Sequence, residues 1–232
     1  MKNTIDRLKK LVRKFPRIHN KAVSAHHRVS SLYVRYLIWR YCDLSSGNQE
    51  DVEIIEVDPD RVTYINDPGF RPFEYDVCKY IGGSWDRDLP LFNESLVYNS
   101  FHEHFVNSTA WEDTKYYEHL INKVDTGQIW HGCETPEEVR RRLSKFDQLH
   151  TSIQEYGYKR QRQLQHQDNY PLEPLTDRQP EMHEITVDIG RNGELILEDG
   201  RHRLSIAKIL NLDNVPVRVL VKHENQRDRI SN

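Results

Sequence analysis

The sequence predicts an α+β protein in which short strands near both ends of the folded region enclose a mostly helical middle. Runs of β-branched or alternating residues predict the strands, and apolar residues at helical spacing predict the helices. The chain has 232 residues, of which 37% are hydrophobic and 10% aromatic. That length and aromatic content allow a packed core and exclude global disorder. The length suits one domain with an appendage, or two small domains.

Composition excludes several classes of protein. No uncharged apolar run approaches about 18 residues, so we expect no membrane-spanning helix. The first residues lack the apolar segment of a secretory signal. The three cysteines are scattered along the chain and cannot form a disulfide framework. These features together predict a cytoplasmic protein.

Charge is distributed unevenly along the chain. Residues 1–40 contain 11 Lys or Arg residues and one acid, whereas the remainder contains 22 basic and 35 acidic residues. We therefore predict a basic helical N-terminal arm over 1–48 and an acidic body over 49–232. A basic arm suits an anionic partner.

Two partners fit the arm. Residues 1–40 could bind the phosphates of DNA, or the basic helix and the aromatic run Tyr33–Tyr41 could lie on an anionic membrane surface. The alternative is that residues 18–41 pack on the body, which leaves only 1–17 as a solvated basic helix.

The first half of the body should open with strands and continue with helices. Residues 52–57 form a β-branched run closed by an Asp-Pro pair, which predicts a strand and a turn. A short second element is expected over 61–65. Residues 66–93 are rich in Pro, Gly and aromatic side chains, so we expect irregular structure there. Apolar spacing predicts helices over 94–105 and 111–126.

The clearest helix signal lies at Thr135. Thr135 occupies the N-cap position, Pro136 the first helical position and Glu138 the capping-box position. The helix should run to about Tyr156 and end at Gly157. Its inner stripe should consist of Leu143, Phe146, Leu149, His150 and Ile153.

The C-terminal third should alternate strands, turns and a helix. After a loop at 164–180, the strands at 184–189 and 194–197 flank a hairpin turn that carries an Asn-Gly pair. A glycine turn then leads into a helix from about 201 to 210. Residues 215–221 are predicted to form the last strand.

The segment Asp199-Gly200-Arg201-His202-Arg203 has the chemistry of an anion site. A strand ends at Gly200 and a helix starts at once, and the first turn of a helix has unpaired N–H groups and a positive dipole end. Gly200 lets a phosphate approach the backbone, and Arg201 and Arg203 can add bidentate bonds. His202 could donate to a phosphate oxygen or move a proton.

Asp199 has several possible roles. Its carboxylate could cap the helix, orient an arginine or bind a metal ion. In the plainer interpretation of the whole segment, Asp199 caps the helix while the basic side chains make surface ion pairs.

Three spaced motifs resemble the ParB/sulfiredoxin-like superfamily. Residues 149–161, LHTSIQEYGYKRQ, are similar to the ParB pattern L-x-x-S-I-x-x-x-G-x-x-x-Q. Residues 199–207, DGRHRLSIA, are similar to the superfamily box G-x-x-R-x-x-A. Residues 215–219, VPVRV, resemble its closing I-P-V-x-V strand. Residues 55–62 resemble the opening strand, which makes residues 66–135 or so an insertion within the domain.

The resemblance implies a nucleotide or phosphate site at the 199–203 box. ParB proteins use CTP, sulfiredoxins use ATP, and archaeal free-serine kinases of this fold phosphorylate a hydroxyl group. The box is closest to the kinase type, D-G-H-H-R, with Arg201 in place of one His. Sulfiredoxin has Cys at that position, so its activity is not expected. ParB usually has Glu there, and no N-R-R motif or helix-turn-helix follows, which argues against chromosome partitioning.

The sequence and the resemblance together predict a nucleotide-binding protein that carries out phosphoryl transfer or nucleotide hydrolysis. ATP or CTP would bind with Mg²⁺. Gly200, Arg201 and Arg203 would hold the phosphates, and Lys159 and Arg160 lie where ParB-like domains present residues to the ligand. Asp199 and His202 are the catalytic candidates, and Asp86 is a second candidate base. The two alternatives are a non-catalytic DNA-binding or regulatory module that uses the basic arm, and a peripheral membrane protein.

Other residues carry weaker signals. The acids beside Trp85 and Trp111 could act as a general base or as Mg²⁺ ligands, although such groups more often cap turns. A metal site could form from His102, His104 and His119, although isolated histidines are more often plain core or surface residues. His223, with Arg227 and Arg229 beyond it, could close over a phosphate or belong to a solvated tail.

Overall fold

The computed structural model describes residues 53–66, 79–127, 133–164 and 180–227. Within these ranges a six-stranded mixed sheet is combined with five α-helices, which confirms the predicted α+β class. The predicted basic arm at 1–48 lies outside the described residues. Across the described ranges, no helix is both long enough and apolar enough to cross a membrane.

The strands form one sheet. They are β1 (Ile54–Val57), β2 (Val62–Ile65), β3 (Lys79–Ile81), β4 (Ile185–Ile189), β5 (Leu195–Asp199) and β6 (Val215–His223). The main order is β1-β6-β4-β5-β2, and β3 pairs with β6 in parallel. β6 holds β1 against its first half and β3 against its last residues. β4 is parallel to β6 and antiparallel to β5.

The helices follow the predicted pattern closely. They are α1 (Leu96–Phe105), α2 (Lys115–Asp125), α3 (Pro136–Tyr156), α4 (Gln161–Leu164) and α5 (Arg201–Ile209). The helix predicted over 136–156 is confirmed together with its capping box, in which the Thr135 hydroxyl accepts from the Glu138 amide and the Glu138 carboxylate accepts from the Thr135 amide. Gly157 ends α3 with a φ of 75°.

Helix α5 lies between two hydrophobic cores. On one side Leu204 and Ala207 pack on the sheet, against side chains of β1, β2, β4, β5 and β6. On the other side Ile206 joins a core formed by α1, α2 and α3, which is rich in aromatic side chains. Since both sides of α5 are packed, its first turn is fixed relative to the strands and to α3.

The sequence misplaced part of the sheet. The sequence predicts irregular structure over residues 66–93, and this prediction is wrong for β3, which lies inside the predicted insertion at 66–135. β3 is a strand because Lys79–Ile81 pair with Val221–His223, the last residues of β6, which run beyond the predicted end at 221. Its own residues carry no strand pattern, so the pairing decides.

The hairpin β4–β5 has two ends with different surroundings. At one end the register pairs Thr186 with Asp199, which places Glu184 and Gly200 together where α5 starts. At the other end the turn Gly190–Gly193 joins the two strands. Five residues of β5 separate the ends by about 13 Å, because a strand rises about 3.3 Å per residue.

Candidate functional site

The turn from β5 into α5 requires glycine. Gly200 has a φ of 90°, which side chains with a Cβ rarely adopt, and an added Cβ would lie 2.9 Å from the Cα of Ile185. Gly200 is also the N-cap residue, and no side chain caps this helix. The first turn of α5 therefore presents its N–H groups at the end of β5 without a competing side-chain acceptor at the cap.

Asp199 does not cap α5. It is the last residue of β5, and it is exposed. The predicted capping role is therefore wrong, because Gly200 occupies the N-cap position and no side chain makes a capping hydrogen bond there. Its carboxylate stays accessible beside the turn.

Arg203 connects α5 to two other segments. Its Nη1 atom donates to the Tyr158 hydroxyl at 3.3 Å, and its Nη2 atom donates to the carbonyl of His183. The same Nη1 atom lies 4.0 Å from Oε2 of Glu184. These contacts fix the guanidinium at the junction of α5, the turn after α3 and the segment before β4. The side chain keeps 13% of its surface exposed.

Lys159 and Arg203 line the same small cleft. Its empty space, including the part open to solvent, is about 280 Å³, and its apolar wall includes Leu149, Ile153 and Leu164. The Nζ atom of Lys159 lies 5.4 Å from the centre of the Tyr156 ring, which is a weak cation–π contact. Lys159 and Arg203, which the sequence assigned from separate motifs, thus line one cleft.

Arg160 faces another direction. Its Nη2 atom donates to Oε1 of Glu56 in β1 at 3.1 Å, and it does not line the cleft. Arg160 therefore ties the turn after α3 to the sheet, and its predicted role as a phosphate ligand is not supported by its position.

His202 faces the aromatic core instead of the cleft. Its Nε2 atom and the Tyr116 hydroxyl are hydrogen-bonded at 2.7 Å. Its ring stacks on Phe146 with centres 4.5 Å apart and lies 5.6 Å from Phe101. Residues one apart on a helix point about 100° apart, so His202 and Arg203 face different neighbours.

Arg201 also lies on the aromatic side. Burial raises the pKa of the Tyr116 phenol, and the positive charges of Arg201 and Arg142 oppose that rise, so Arg201 lies near Tyr116. Arg201 does not line the cleft that Arg203 shares with Lys159. The geometry does not support the expectation that Arg201 and Arg203 flank one phosphate, since only Arg203 lines the cleft.

The sequence missed Glu184, which is the most perturbed carboxyl group at this end of the sheet. Its side chain is 1% exposed, and its Oε1 atom accepts from the Gln161 amide at 2.7 Å. Burial raises the pKa of Glu184 to about 7, although the Gln161 amide and the charges of Arg203 and Arg160 lower it. No pattern in the adjacent residues indicates this burial, which comes from the packing of other segments.

Asp86 is held at the far end of the hairpin. Its Oδ1 atom lies 2.6 Å from Nη2 of Arg191, and its Oδ2 atom accepts from the Arg191 amide at 2.7 Å. The pKa of Asp86 is lowered in spite of its burial, because the side chain and amide of Arg191 bind the carboxylate. The candidate base Asp86 is thus wrong on position, since Arg191 belongs to the turn opposite Gly200. Beside Trp111, the other position at which the sequence predicts an acid, Oε1 of Glu112 lies 3.7 Å from Nε of Arg140.

The remaining histidines make local contacts. His104 bonds to the carbonyl of Thr109 at 2.7 Å and to Asp147 at 3.0 Å, and His223 bonds to the carbonyl of Gly83 at 3.1 Å. Within the part of the chain that the structure describes, no group of three or more His, Cys, Asp or Glu side chains could hold a metal ion. Arg229 lies outside the described residues.

Comparisons of the chain with protein-family models, with curated proteins and with solved structures give no match in any of the three. The resemblance to the ParB/sulfiredoxin-like superfamily therefore stays a prediction from the three motifs. In the structure those motifs occupy the end of α3 with its turn, the start of α5, and β6.

Proposed function

We propose that this protein binds the phosphate groups of a nucleotide at the start of α5, with Arg203 and Lys159 as the cationic ligands. One observation carries the proposal. The two side chains line a single cleft, and Arg203 belongs to the first turn of α5, whose start no side chain caps. An uncapped helix start and two nearby cations are complementary to an anion.

Arg203 is suited to be the central ligand. Its guanidinium is held in place by Tyr158 and the His183 carbonyl, so little side-chain entropy is lost when an anion binds. Charge-assisted bonds from a guanidinium to a phosphate are among the stronger hydrogen bonds in proteins. Lys159 adds a second charge on a flexible stem, which can follow the ligand.

The size of the cleft limits what it can enclose. Ligand pockets that enclose a small molecule usually measure about 300–1,000 Å³. The enclosed part of the cleft is only about 10 Å³, because most of its 280 Å³ is open to solvent, so a phosphate group would lie at its mouth and the base and sugar beyond it. The proposal therefore assigns no base preference, and both ATP and CTP belong in its test.

Mg²⁺ fits a site of this kind. Mg²⁺ binds mostly to phosphate oxygens, water and one or two carboxylates, and Asp199 is an exposed carboxylate next to Gly200. A bound Mg²⁺ would supply neutralisation of phosphate charge. We propose phosphoryl transfer or nucleotide hydrolysis as the reaction class, and Asp199 remains its catalytic candidate. His202 is assigned no proton-transfer role, since its ring packs in the aromatic core and does not line the cleft.

Titration calorimetry with ATP and with CTP, each with Mg²⁺, tests the proposal. Wild type should bind at least one nucleotide, Arg203→Gln should lose about tenfold or more in affinity, and Lys159→Gln should lose several-fold. Arg140→Gln is the matched control, because it removes the same charge from an exposed pair with Glu112. It should bind like wild type.

The same samples give a second measurement. A bound nucleotide should raise the melting temperature of wild type by mass action, and it should raise that of Arg203→Gln less. Equal affinities in wild type, Lys159→Gln and Arg203→Gln would remove the cleft from the account. Absence of binding by wild type would end the nucleotide proposal.

The second candidate function is DNA binding by residues 1–40, and the charge asymmetry of the sequence favours it. DNA affinity should fall steeply with salt and should disappear when residues 1–40 are deleted. If the deletion leaves the affinity unchanged, the arm does not bind DNA. Liposome flotation with and without anionic lipid tests the membrane alternative in the same way.

A further inference from the structure

A buried acid lies directly behind the proposed phosphate ligand. Oε1 of Glu184 accepts from the Gln161 amide, whereas Oε2 has no hydrogen-bond partner. Oε2 lies 4.0 Å from Nη1 of Arg203, a distance at which charges interact without a hydrogen bond. A buried carboxylate oxygen without a donor carries a high desolvation cost, so its charge depends strongly on nearby charges.

Three charged side chains on different segments act on Glu184. Arg203 on α5 and Arg160 on the turn after α3 lower its pKa, and Glu181 on the 3-10 turn before β4 raises it. Arg162 pairs with Glu181 and so partly compensates its charge. With burial as the largest cause, these groups leave the Glu184 carboxyl with a pKa of about 7, so it changes charge near neutral pH.

Arg203 is shared between the interior and the cleft. On its interior side the guanidinium contacts the Tyr158 hydroxyl and the His183 carbonyl and lies near the Glu184 carboxyl. On its other side it lines the cleft, which is open to solvent. A charged Glu184 attracts the guanidinium inward, and a neutral Glu184 does not. A phosphate on Arg203 would in turn repel a negative charge on Glu184.

We propose that Glu184 is a proton-linked positioning residue, so that phosphate binding at Arg203 is accompanied by uptake of a proton on Glu184. The inference rests on the proposed function. The affinity for the nucleotide should therefore fall as pH rises through neutrality. Above neutral pH Glu184 is deprotonated in the free protein, so it must take up a proton when the anion binds.

Calorimetry in two buffers of different ionisation enthalpy measures the proton uptake. The probe is ATP or CTP, whichever binds wild type more tightly, at about pH 6, 7 and 8.5. Glu184→Gln keeps the amide contact but cannot titrate. Glu112→Gln is the matched control, because it removes a carboxylate from an exposed pair with Arg140 and does not act on the pKa of Glu184.

Wild type and Glu112→Gln should take up a fraction of a proton more than Glu184→Gln at pH 7. Their affinity should also fall about tenfold more than that of Glu184→Gln between about pH 6 and 8.5. Changes in the ionisation of the nucleotide are common to all three proteins and cancel in this difference. Equal proton uptake and equal pH profiles in wild type and Glu184→Gln would overturn the inference and leave the proposed function intact. No binding at any pH by any of them would overturn both.

Discussion

The two sides of helix α5 differ in chemistry although their residues are neighbours in the chain. On one side, His202 and Ile206 pack into a core of aromatic rings, and the polar atom Nε2 of His202 is satisfied by Tyr116. On the other side, Arg203 faces a cleft with a second cation and a buried acid behind it. A short sequence motif thus supplies one side chain to the aromatic core and another to the cleft.

This difference shows how a polar motif should be interpreted. Arg201, His202 and Arg203 look equivalent as candidate phosphate ligands in the sequence, because all three follow Gly200. The packing of α5 on both sides decides between them, since a helix directs successive side chains about 100° apart. Arg203 lines a cleft together with a second cation, Lys159, and two cations at one cleft are the pattern of an anion site.

The largest effect is expected on the aromatic side. Phe101 is fully buried and lies 5.3 Å from Phe146 and 5.1 Å from Trp111, measured between ring centres. Phe101→Ala should lower the free energy of unfolding by about 3–5 kcal/mol, because it leaves a cavity. Denaturant unfolding measures this change. A loss below about 1 kcal/mol would show that this core contributes little to stability.

An intermediate effect is expected at the turn that joins the two sides. Gly200→Ala should cost about 2 kcal/mol or more, from the left-handed backbone and from the contact of its Cβ with Ile185. It should also weaken nucleotide binding, because β4 must move to make room. Unfolding curves and calorimetry on one preparation check both. Wild-type stability in this variant would mean that the turn does not require glycine.

On the cleft side the effect depends on pH. The pKa of Glu184 is about 7 in the folded protein and 4.5 ordinarily, so the unfolded chain binds fewer protons over that interval and stability falls as pH rises. Glu184→Gln should match wild type at about pH 4.5 and exceed it by up to about 3 kcal/mol at pH 8. The free energy of unfolding of both proteins, measured at several pH values, tests this prediction. If the two stabilities change with pH in parallel, the prediction is wrong.

The smallest effect separates the two sides most cleanly. Tyr116→Phe removes the hydroxyl that bonds to His202 and should cost about 1 kcal/mol of stability. Nucleotide affinity should stay within about twofold of wild type, because Tyr116 does not line the cleft. A large loss of affinity in this variant would show that His202 takes part in ligand binding after all.

Local signals in the sequence predicted much of the fold. The capping box at Thr135, the Asn-Gly turn and the glycine before α5 each fix a boundary, because the reason for the boundary is contained in adjacent residues. β3 could not be predicted in this way, since its pairing partner lies about 140 residues away in β6.

The candidate site was predicted less completely than the fold. The sequence named Gly200, Arg203 and Lys159 as candidates, but it could not show which way α5 turns its arginines. It also could not reveal Glu184, whose properties come from burial under α4 and α5 and not from its neighbours in the chain. Side-chain direction and desolvation are tertiary properties, and both require the packed structure.

Backbone NMR with a nucleotide titration tests the central claim most directly. Addition of ATP or CTP with Mg²⁺ should move the amide signals of Gly157–Lys159 and of Gly200–Leu204 more than any others, and these changes should be lost in Arg203→Gln. The aromatic side should change little. Strong changes confined to other segments, or unchanged spectra at saturating nucleotide, would contradict the account.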